Sequence, residues 1–317
     1  MKYIWKDMYL AGVMGILVPG LLLNVGVMAY GEESHTQIVT EAVTIVPEKS
    51  VTIRLQSDSG WVNTELEEYL VGVVLAEMPA SFEEEALKAQ AVVARTYGVR
   101  ALEGKSKHTE GDICGDAACC QGYLNPADYT GTEEQLQKVR DAVSTTAGQV
   151  LTYEGELIEA TYFSCSGGTT EDAVAVWGTE VPYLQSVDSP GEENAAYYVD
   201  GVEFTLDEFL QKLGLDTSGD KANLLGEVTY TAGGGVDTIV IGGITYKGTE
   251  IRKLLGLRST AFVMEATEET VAITTRGYGH RVGMSQFGAD AMAAQGSTYR
   301  EILAHYYQGT ELEHWFD

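Results

Sequence analysis

The sequence has few basic residues, with 20 Lys and Arg against 47 Asp and Glu, and its formal net charge is −27. A surface that binds nucleic acid needs concentrated positive charge, so this imbalance argues strongly against a nucleic-acid partner. Internal repeats are not apparent. The hydrophobic content of 44% is ordinary for a globular protein, and the acidity is therefore not a sign of disorder. With 317 residues, the chain can form one large domain or two small ones.

One long apolar run, Met8–Tyr30, lies near the N-terminus, with lysines before it and glutamates after it. A membrane-spanning helix needs about 20 apolar residues, and the flanking charges favour a body outside the cytoplasm. We therefore predict that residues 1–34 form a cytoplasmic stub and a single-pass membrane anchor. The small residues at 27–29 leave a cleaved signal peptide as the alternative. Residues 35–61 are predicted to be an extended segment beside the membrane.

The main body, residues 62–317, carries both helical and strand patterns, which predict an α+β fold. The clearest helix follows Ser81, which forms the pattern of a capping box with Glu84. Small residues share one face of this helix, so another element can approach it closely. Residues 191–256, approximately, alternate short strands with glycine-rich turns and predict an inserted β-rich subdomain.

The stretch VLAEMP places Glu77 after an apolar stripe with helical spacing. Pro79 cannot continue the helix, so Glu77 is predicted to lie in its last turn. The helix dipole and an apolar environment both oppose ionisation there, which favours a proton donor. A glutamate that meets water or pairs with an arginine remains an equal alternative from the stripe alone.

Four potential metal ligands occur within thirteen residues: His108, Cys114, Cys119 and Cys120. Such a Cys₃His set can hold one tetrahedral Zn²⁺, although the spacing is not the usual C-x₂-C. All four positions would then be filled by protein, so the zinc would be structural and would not be required for chemistry. Outside the cytoplasm, a disulfide is the alternative.

Two further loops are candidate ligand sites. The loop SCSGGTT lacks the G-x-S-x-G pattern of a serine nucleophile, but its small hydroxyl-bearing residues predict a polar groove wall, with Ser164, Ser166 and Gly167 as contacts. The stretch GYGHRVGMSQ places His280 among glycines and Gln286 at the start of a helix, a suitable place for a polyhydroxyl ligand. A glycine-rich turn whose histidine bonds to the backbone is the alternative. Trp177 and Tyr183 are expected to pack, with stacking on a sugar ring as the alternative.

Three blocks together resemble the stage II sporulation protein D family: residues 66–100, the SGG-T-E…VWG…PYL-SVDSP stretch, and residues 277–312. They occur in the family's order and extend over most of the chain from about residue 60. The resemblance implies a peptidoglycan lytic transglycosylase, an enzyme that cuts MurNAc–GlcNAc bonds and leaves 1,6-anhydroMurNAc ends during engulfment of the forespore. Glu77 corresponds to the family's catalytic acid/base.

The resemblance also implies a substrate, partners and a location. The substrate would be glycan strands stripped of stem peptides, and Lys88 or Arg95 is predicted to meet their lactyl carboxylates. The partners would be stage II sporulation proteins P and M, and the body would lie outside the cytoplasm on the mother-cell engulfing membrane. Clostridial members of the family carry zinc in the loop that contains the Cys₃His set.

Two positions depart from the family pattern. Phe163 stands where the family often has His, and Arg281 stands where it usually has Gly in G-H-G-V-G-M. Two alternatives to the transglycosylase remain open at this point. One is a non-catalytic glycan-binding module that stimulates an amidase, and the other is a zinc hydrolase, which would require an open metal position.

Overall fold

The computed structural model describes residues 50–57, 60–216 and 224–315, which lie in the compact unit Val46–Asp317. The predicted anchor at residues 1–34 lies outside the described residues. Among the described residues, no helix is both long enough and apolar enough to cross a membrane.

The described residues contain both element types, in agreement with the predicted α+β class. The helices are α1 (Leu66–Glu77), α2 (Glu84–Arg100), α3 (Glu133–Thr145), α4 (Ala173–Trp177), α5 (Leu206–Leu213), α6 (Gly248–Leu255), α7 (Gln286–Ala294) and α8 (Tyr299–Tyr306). The strands are β1 (Thr52–Ser57), β2 (Gly60–Glu65), β3 (Ile113–Cys114), β4 (Gln149–Tyr153), β5 (Glu156–Leu157), β6 (Tyr162–Phe163), β7 (Val199–Thr205), β8 (Leu225–Tyr230), β9 (Val236–Ile241), β10 (Ile244–Lys247), β11 (Phe262–Ala266), β12 (Thr270–Arg276), β13 (Met284–Ser285) and β14 (Glu311–His314).

Helix α2 lies at the centre of the larger hydrophobic core and contacts α1, α3, α7, α8 and β4. Its face of small residues is buried, as the sequence predicted, and the alanines allow these neighbours to pack closely. The capping prediction was wrong: α2 begins at Glu84 with Glu83 as its N-cap, and no side chain caps it. Ser81 lies inside a turn in which the Phe82 N–H donates to the Pro79 carbonyl, two residues before the N-cap.

The first described residues belong to the folded body. Strands β1 and β2 form an antiparallel hairpin, and β3 pairs with β1 in parallel. Ile53 and Leu55 are fully buried in the core. The described part of the segment at residues 35–61 is therefore strand structure that anchors the loop containing Cys114.

A second hydrophobic cluster extends from Leu206 to Ile273. It lies among α5, α6 and two three-stranded antiparallel sheets, ordered β10-β9-β8 and β11-β12-β7. Strand β7 pairs with β12 from Val199–Arg276 to Thr205–Thr270. The sequence predicted that the inserted β-rich subdomain ends near residue 256. In the structure, the hairpin β11–β12, which follows that residue, contributes buried side chains to the same cluster.

Candidate functional site

Glu77 lies in the last turn of α1, as predicted, because Met78 adopts an extended conformation ahead of Pro79. The stripe that precedes it is buried in the core. The remaining residues of α1 from Val71 to Leu75 are buried as well, so the helix is enclosed on more sides than the stripe alone indicated. Glu77 itself is half-buried at the edge of this core.

Three neutral groups contact the Glu77 carboxyl. The Gly122 N–H donates to Oε1 at 2.5 Å. The hydroxyl of Tyr162 also faces the carboxyl, and the Gln286 side chain approaches it with a buried Nε2 that has no hydrogen-bond partner among the described residues. Burial raises the pKa of Glu77, and these three groups oppose the shift without cancelling it. A carboxyl with a raised pKa keeps its proton more readily and is suited to act as a general acid.

The peptide that carries Gly122 is fixed against α1. Gln121 is buried, and its Nε2 donates to the Tyr69 hydroxyl at 3.0 Å and to the Ala94 carbonyl at 3.3 Å. The Leu124 N–H donates to the Gly72 carbonyl at 3.0 Å. A Cβ at position 72 would lie 2.3 Å from the Tyr123 ring, so glycine permits this close crossing.

Sequence reasoning missed Gln121, Gly122 and Tyr162. The Tyr162 hydroxyl donates to Gln121 Oε1 at 3.2 Å and thereby joins β6 to the loop beside Glu77. Burial raises the pKa of Tyr162 well above its usual value, and the negative charge of Glu77 adds to the shift. Only the adjacency of Gln121 and Gly122 to the cysteine pair could have drawn attention to them.

The loop before Gln121 brings the four predicted metal ligands together. Their donor atoms all lie within 4.8 Å of one another. His108 Nε2 is 3.3 Å from Cys120 Sγ and 3.8 Å from Cys119 Sγ, and the two sulfurs are 3.9 Å apart. Tetrahedral zinc with ordinary Zn–S and Zn–N bonds requires donor separations of about 3.6 to 3.8 Å. The separations among His108, Cys119 and Cys120 are close to these values, so the donor set fits zinc. All three cysteines of the set are free thiols in the structure.

Neighbouring side chains hold the same loop. The ring of Trp61 meets the His108 ring edge-on, with centroids 5.4 Å apart. Lys107 Nζ donates to the Cys119 carbonyl at 2.5 Å. Because Gly122 follows two residues after Cys120, the conformation of this loop determines where the N–H bound to Glu77 lies.

The predicted polar groove wall is largely internal. Ser166 is buried, and both its N–H and its hydroxyl donate to Glu192 Oε2. The Gly167 N–H donates to the same oxygen at 2.9 Å. These groups are occupied by Glu192 and are not free for sugar, which corrects the prediction for Ser166 and Gly167. Ser164 remains half-exposed, and its carbonyl accepts from the Phe287 N–H.

Glu192, which sequence reasoning also missed, connects this loop to α7. Its Oε1 accepts hydrogen bonds from Ser189 at 2.6 Å and from Ser285 at 2.5 Å. Ser285 is the N-cap of α7, and its hydroxyl also accepts from the Gly288 N–H. The carboxylate thus fixes the start of the helix on which Gln286 faces Glu77.

His280 lies between two aromatic rings, with centroid distances of 5.6 Å to both Phe163 and Trp177. Its Nδ1 accepts from the Val282 N–H at 3.1 Å, which matches the predicted alternative of a backbone-bonded histidine. Burial lowers the pKa of His280 to about 4, with a further contribution from the positive charge of Arg252. His280 is therefore a neutral group near pH 7.

Arg281 has a positive φ of 66°, which explains why glycine suits this position in the family pattern. Its buried guanidinium pairs with Glu171 at 3.1 Å. It also donates to the carbonyls of Ser166, Thr169 and Gly233. The arginine therefore joins the loop after β6 to the turn between β8 and β9.

The structure does not support the predicted contacts of Arg95 and Lys88 with substrate, because both side chains are engaged in ion pairs within the protein. Arg95 is fully buried, pairs with Glu67 and donates to the carbonyls of Val143 and Gln149. Lys88 Nζ lies 2.7 Å from Glu84 and 2.8 Å from Glu85 on its own helix. Both charges are already balanced within the protein.

Comparison with known proteins supports the resemblance. A family model described as "SpoIID: Stage II sporulation protein" matches residues 59–153. Stage II sporulation protein D of Bacillus subtilis is 43% identical over 271 residues, which cover 83% of this chain and 78% of that protein. The protein of the same name from Bacillus amyloliquefaciens is 42% identical over the same shares of the two chains. The amidase enhancer of Bacillus subtilis is 30% identical over 77% of this chain and 40% of its own length.

These matches extend well beyond the residues around Glu77. The two Bacillus proteins of the same name are 43% and 42% identical to this chain. The order of the three sequence blocks and the long alignments to the two Bacillus proteins lead to one assignment. The chain belongs to the stage II sporulation protein D family.

Proposed function

We propose that the protein is a membrane-anchored lytic transglycosylase that acts on the peptidoglycan glycan of sporulating cells. The observation that carries this proposal is Glu77, a half-buried carboxyl whose pKa is raised by burial and whose contacts are neutral. The names of the two Bacillus relatives support the link to sporulation. The predicted substrate is a glycan strand without stem peptides.

One carboxyl group can perform both steps of the reaction. Protonated Glu77 donates its proton to the oxygen that bridges MurNAc C1 and the next sugar, the C1–O bond breaks, and positive charge develops at C1. The C6 hydroxyl of the same MurNAc then attacks C1, and the Glu77 carboxylate accepts the hydroxyl proton. The products are a 1,6-anhydroMurNAc end and a free hydroxyl on the departing strand. Glu77 is protonated again.

Glycoside hydrolases ordinarily need two carboxylates on opposite sides of the bond. The groups acting on Glu77 among the described residues are Gly122, Tyr162 and Gln286, and none of them is a carboxylate. An intramolecular nucleophile supplied by the sugar makes a second carboxylate unnecessary. The neutral surroundings thus favour the transglycosylase over hydrolysis.

We propose further that His108, Cys114, Cys119 and Cys120 hold a structural zinc ion. Their separations support it, and four protein ligands leave no position for a reacting water. When bound, the metal would hold the loop together. The loop in turn orients the Gly122 N–H toward Glu77. This arrangement disfavours the zinc-hydrolase alternative.

The test is mass spectrometry of glycan strands without stem peptides after incubation with the full chain or with Glu77→Gln. We expect 1,6-anhydroMurNAc ends from the unmodified protein and none from the variant. Reducing ends in their place would show a hydrolase. Strands that remain uncut by both proteins would overturn the enzymatic proposal.

A second candidate is a glycan-binding module that stimulates an amidase. It is favoured by the amidase enhancer of Bacillus subtilis, although this chain covers only 40% of that protein. Stage II sporulation protein P, an amidase in the predicted pathway, and protein M are the proposed partners at the engulfing membrane. Stimulation of amidase turnover that is equal for the unmodified protein and Glu77→Gln would favour this candidate.

A further inference from the structure

Trp177 is an unusually exposed aromatic residue beside the candidate site. It is the last residue of α4, which ends there because Gly178 adopts a left-handed conformation and closes the helix with a bond to the Val174 carbonyl. The Trp177 side chain remains 43% exposed. Tyr183, by contrast, packs against Tyr153 and accepts a hydrogen bond from the Glu159 N–H. Of the two aromatic residues singled out in the sequence, Trp177 is the more exposed to solvent.

Trp177 is connected to Glu77 through a short series of contacts. Its ring lies against His280, whose ring also meets Phe163. Phe163 follows Tyr162 in β6, and the Tyr162 hydroxyl faces the Glu77 carboxyl. The exposed ring is thus joined through His280 to the strand that carries Tyr162, beside the proposed acid.

The second residue of interest in this region is Arg252. It is half-buried in α6, and no ion pair with a carboxylate is found for it within the described residues. The Gly279 N–H donates to the Arg258 carbonyl, and the Leu257 N–H donates to the Arg252 carbonyl. These bonds dock the end of α6 on the loop that contains His280, so the positive charge of Arg252 acts on that ring.

This arrangement contrasts with that of most other buried or half-buried arginines in the described part of the chain. Arg95, Arg140, Arg258 and Arg281 each pair with a carboxylate of the protein, whereas Arg100, like Arg252, has no such pair among the described residues. In a chain with 47 acidic and 20 basic residues, a partly buried arginine that lacks such a pair is unexpected. Removing a guanidinium from water without an anionic partner costs free energy, which a bound anion would recover.

We propose that Trp177 and Arg252 form a glycan subsite in which the indole stacks on a sugar ring and the guanidinium binds the lactyl carboxylate of MurNAc. This inference rests on the proposed function. It replaces Lys88 and Arg95 with a cation that the protein leaves available. Arginine is suited to the task because its planar group can hold a carboxylate through two parallel hydrogen bonds.

The subsite gives a chemical reason for selectivity. A stem peptide joins the lactyl carboxyl through an amide, which removes the negative charge. An amidase restores the carboxylate by hydrolysing that bond. Arg252 therefore favours strands from which the peptide has been removed, while Trp177 contributes affinity to sugar rings of either kind.

The test measures binding by calorimetry with the full chain carrying Glu77→Gln, so that no substrate is consumed. The probes are a GlcNAc–MurNAc tetrasaccharide with free lactyl carboxylates, the same tetrasaccharide with amidated lactyl groups, and the GlcNAc tetramer. We expect the additional Arg252→Gln change to weaken binding of the free-carboxylate probe about tenfold, a typical effect of one charge-assisted contact. Binding of the two uncharged probes should be unaffected.

Three matched variants separate the alternatives. Lys253→Gln removes the same charge from an exposed neighbour on α6 and should leave every affinity unchanged. Arg252→Lys should restore part of the preference, and Trp177→Ala should weaken all three probes. An undiminished preference for free carboxylates in Arg252→Gln overturns the subsite alone. Failure of every protein to bind any glycan would instead count against the proposed function.

Discussion

Glu77 and Glu192 both lie beside the start of α7, one against Gln286 and the other against Ser285. Glu192 is buried and accepts five hydrogen bonds, two of them from backbone N–H groups. Glu77 is half-buried and is held at 2.5 Å by one backbone N–H. Two carboxyl groups of the same type thus have different surroundings within one small region.

The difference separates a structural charge from a reactive proton. A carboxylate surrounded by donors is stabilised as an anion and orders the groups that bind it. A carboxyl with few donors and much apolar contact binds its proton more tightly, which is what a general acid requires. The comparison predicts that the same isosteric change, Glu to Gln, has opposite consequences at the two positions.

The largest expected effect is the loss of turnover in Glu77→Gln. A general acid contributes roughly 10²- to 10⁴-fold to the rate, and glutamine cannot supply the proton. Initial rates of anhydro-end formation measure this loss. Glu192→Gln serves as the control. Glu192 also lies beside the start of α7, but its carboxylate does not contact Glu77. An equal loss in both variants would show that general damage to the site, and not proton transfer, explains the result.

The next effect is on stability. In Glu192→Gln the side chain loses its charge and gains an NH₂ group among donors, so about 2 kcal/mol of unfolding free energy should be lost. For a domain of this size that corresponds to a fall in Tm of roughly 4 to 8 °C in a thermal melt. An unchanged Tm would mean that the donors around Glu192 find other acceptors and that the carboxylate is not the organising group.

A smaller change in rate is expected from Gly122→Ala. The added Cβ would lie 2.9 Å from Glu77 Oε1, so the carboxyl must shift away from its present position. Misplacement of a catalytic group by a fraction of an ångström should lower kcat about tenfold. Gly115→Ala in the same loop is the control, since its Cβ would meet Tyr123 at 3.1 Å and not the acid. Equal kcat values in the two variants would contradict a specific role for the Gly122 contact.

The comparison also predicts that Glu77→Gln stabilises the fold near pH 7. Because burial raises the pKa of Glu77, the protein gains stability from this group below the unfolded-state pKa and loses it as the pH rises through the folded-state value. Glutamine removes that loss, by no more than about 1 kcal/mol since the partly exposed carboxyl is screened by solvent. Denaturant unfolding at pH 4 and pH 7 measures it. The gain should be present at pH 7 and small at pH 4.

The sequence predicted some of the residues in this comparison and missed others. The end of α1 at Glu77 followed from the apolar spacing and Pro79, both of which are local. The metal-ligand set followed from the residue types alone. Glu192, Gln121 and Tyr162 were missed because each acts on a residue far away in the chain, and no local pattern distinguishes them from surface residues.

The predictions for Lys88 and Arg95 also depended on tertiary contacts that the sequence does not show. Lys88 and Arg95 were predicted to meet the lactyl carboxylates of the glycan, but each pairs with a carboxylate of the protein itself. The half-buried, unpaired Arg252 lies far from Glu77 in the chain. Whether a charge is free depends on tertiary neighbours, so sequence proximity could not identify it.

The smallest expected effect concerns the pH dependence of turnover. The Gln286 side chain lowers the pKa of Glu77 because it favours the ionised carboxyl, so Gln286→Leu should raise that pKa further. Glu77 must be protonated to act as an acid, and activity falls as the pH rises through its pKa. The descending limb of the kcat profile should therefore move to higher pH in the variant. Gln295→Leu, just beyond the other end of α7, should leave the limb in place. A shift to lower pH in Gln286→Leu would mean that Gln286 stabilises the protonated acid, and the proposed balance of donors around Glu77 would be reversed.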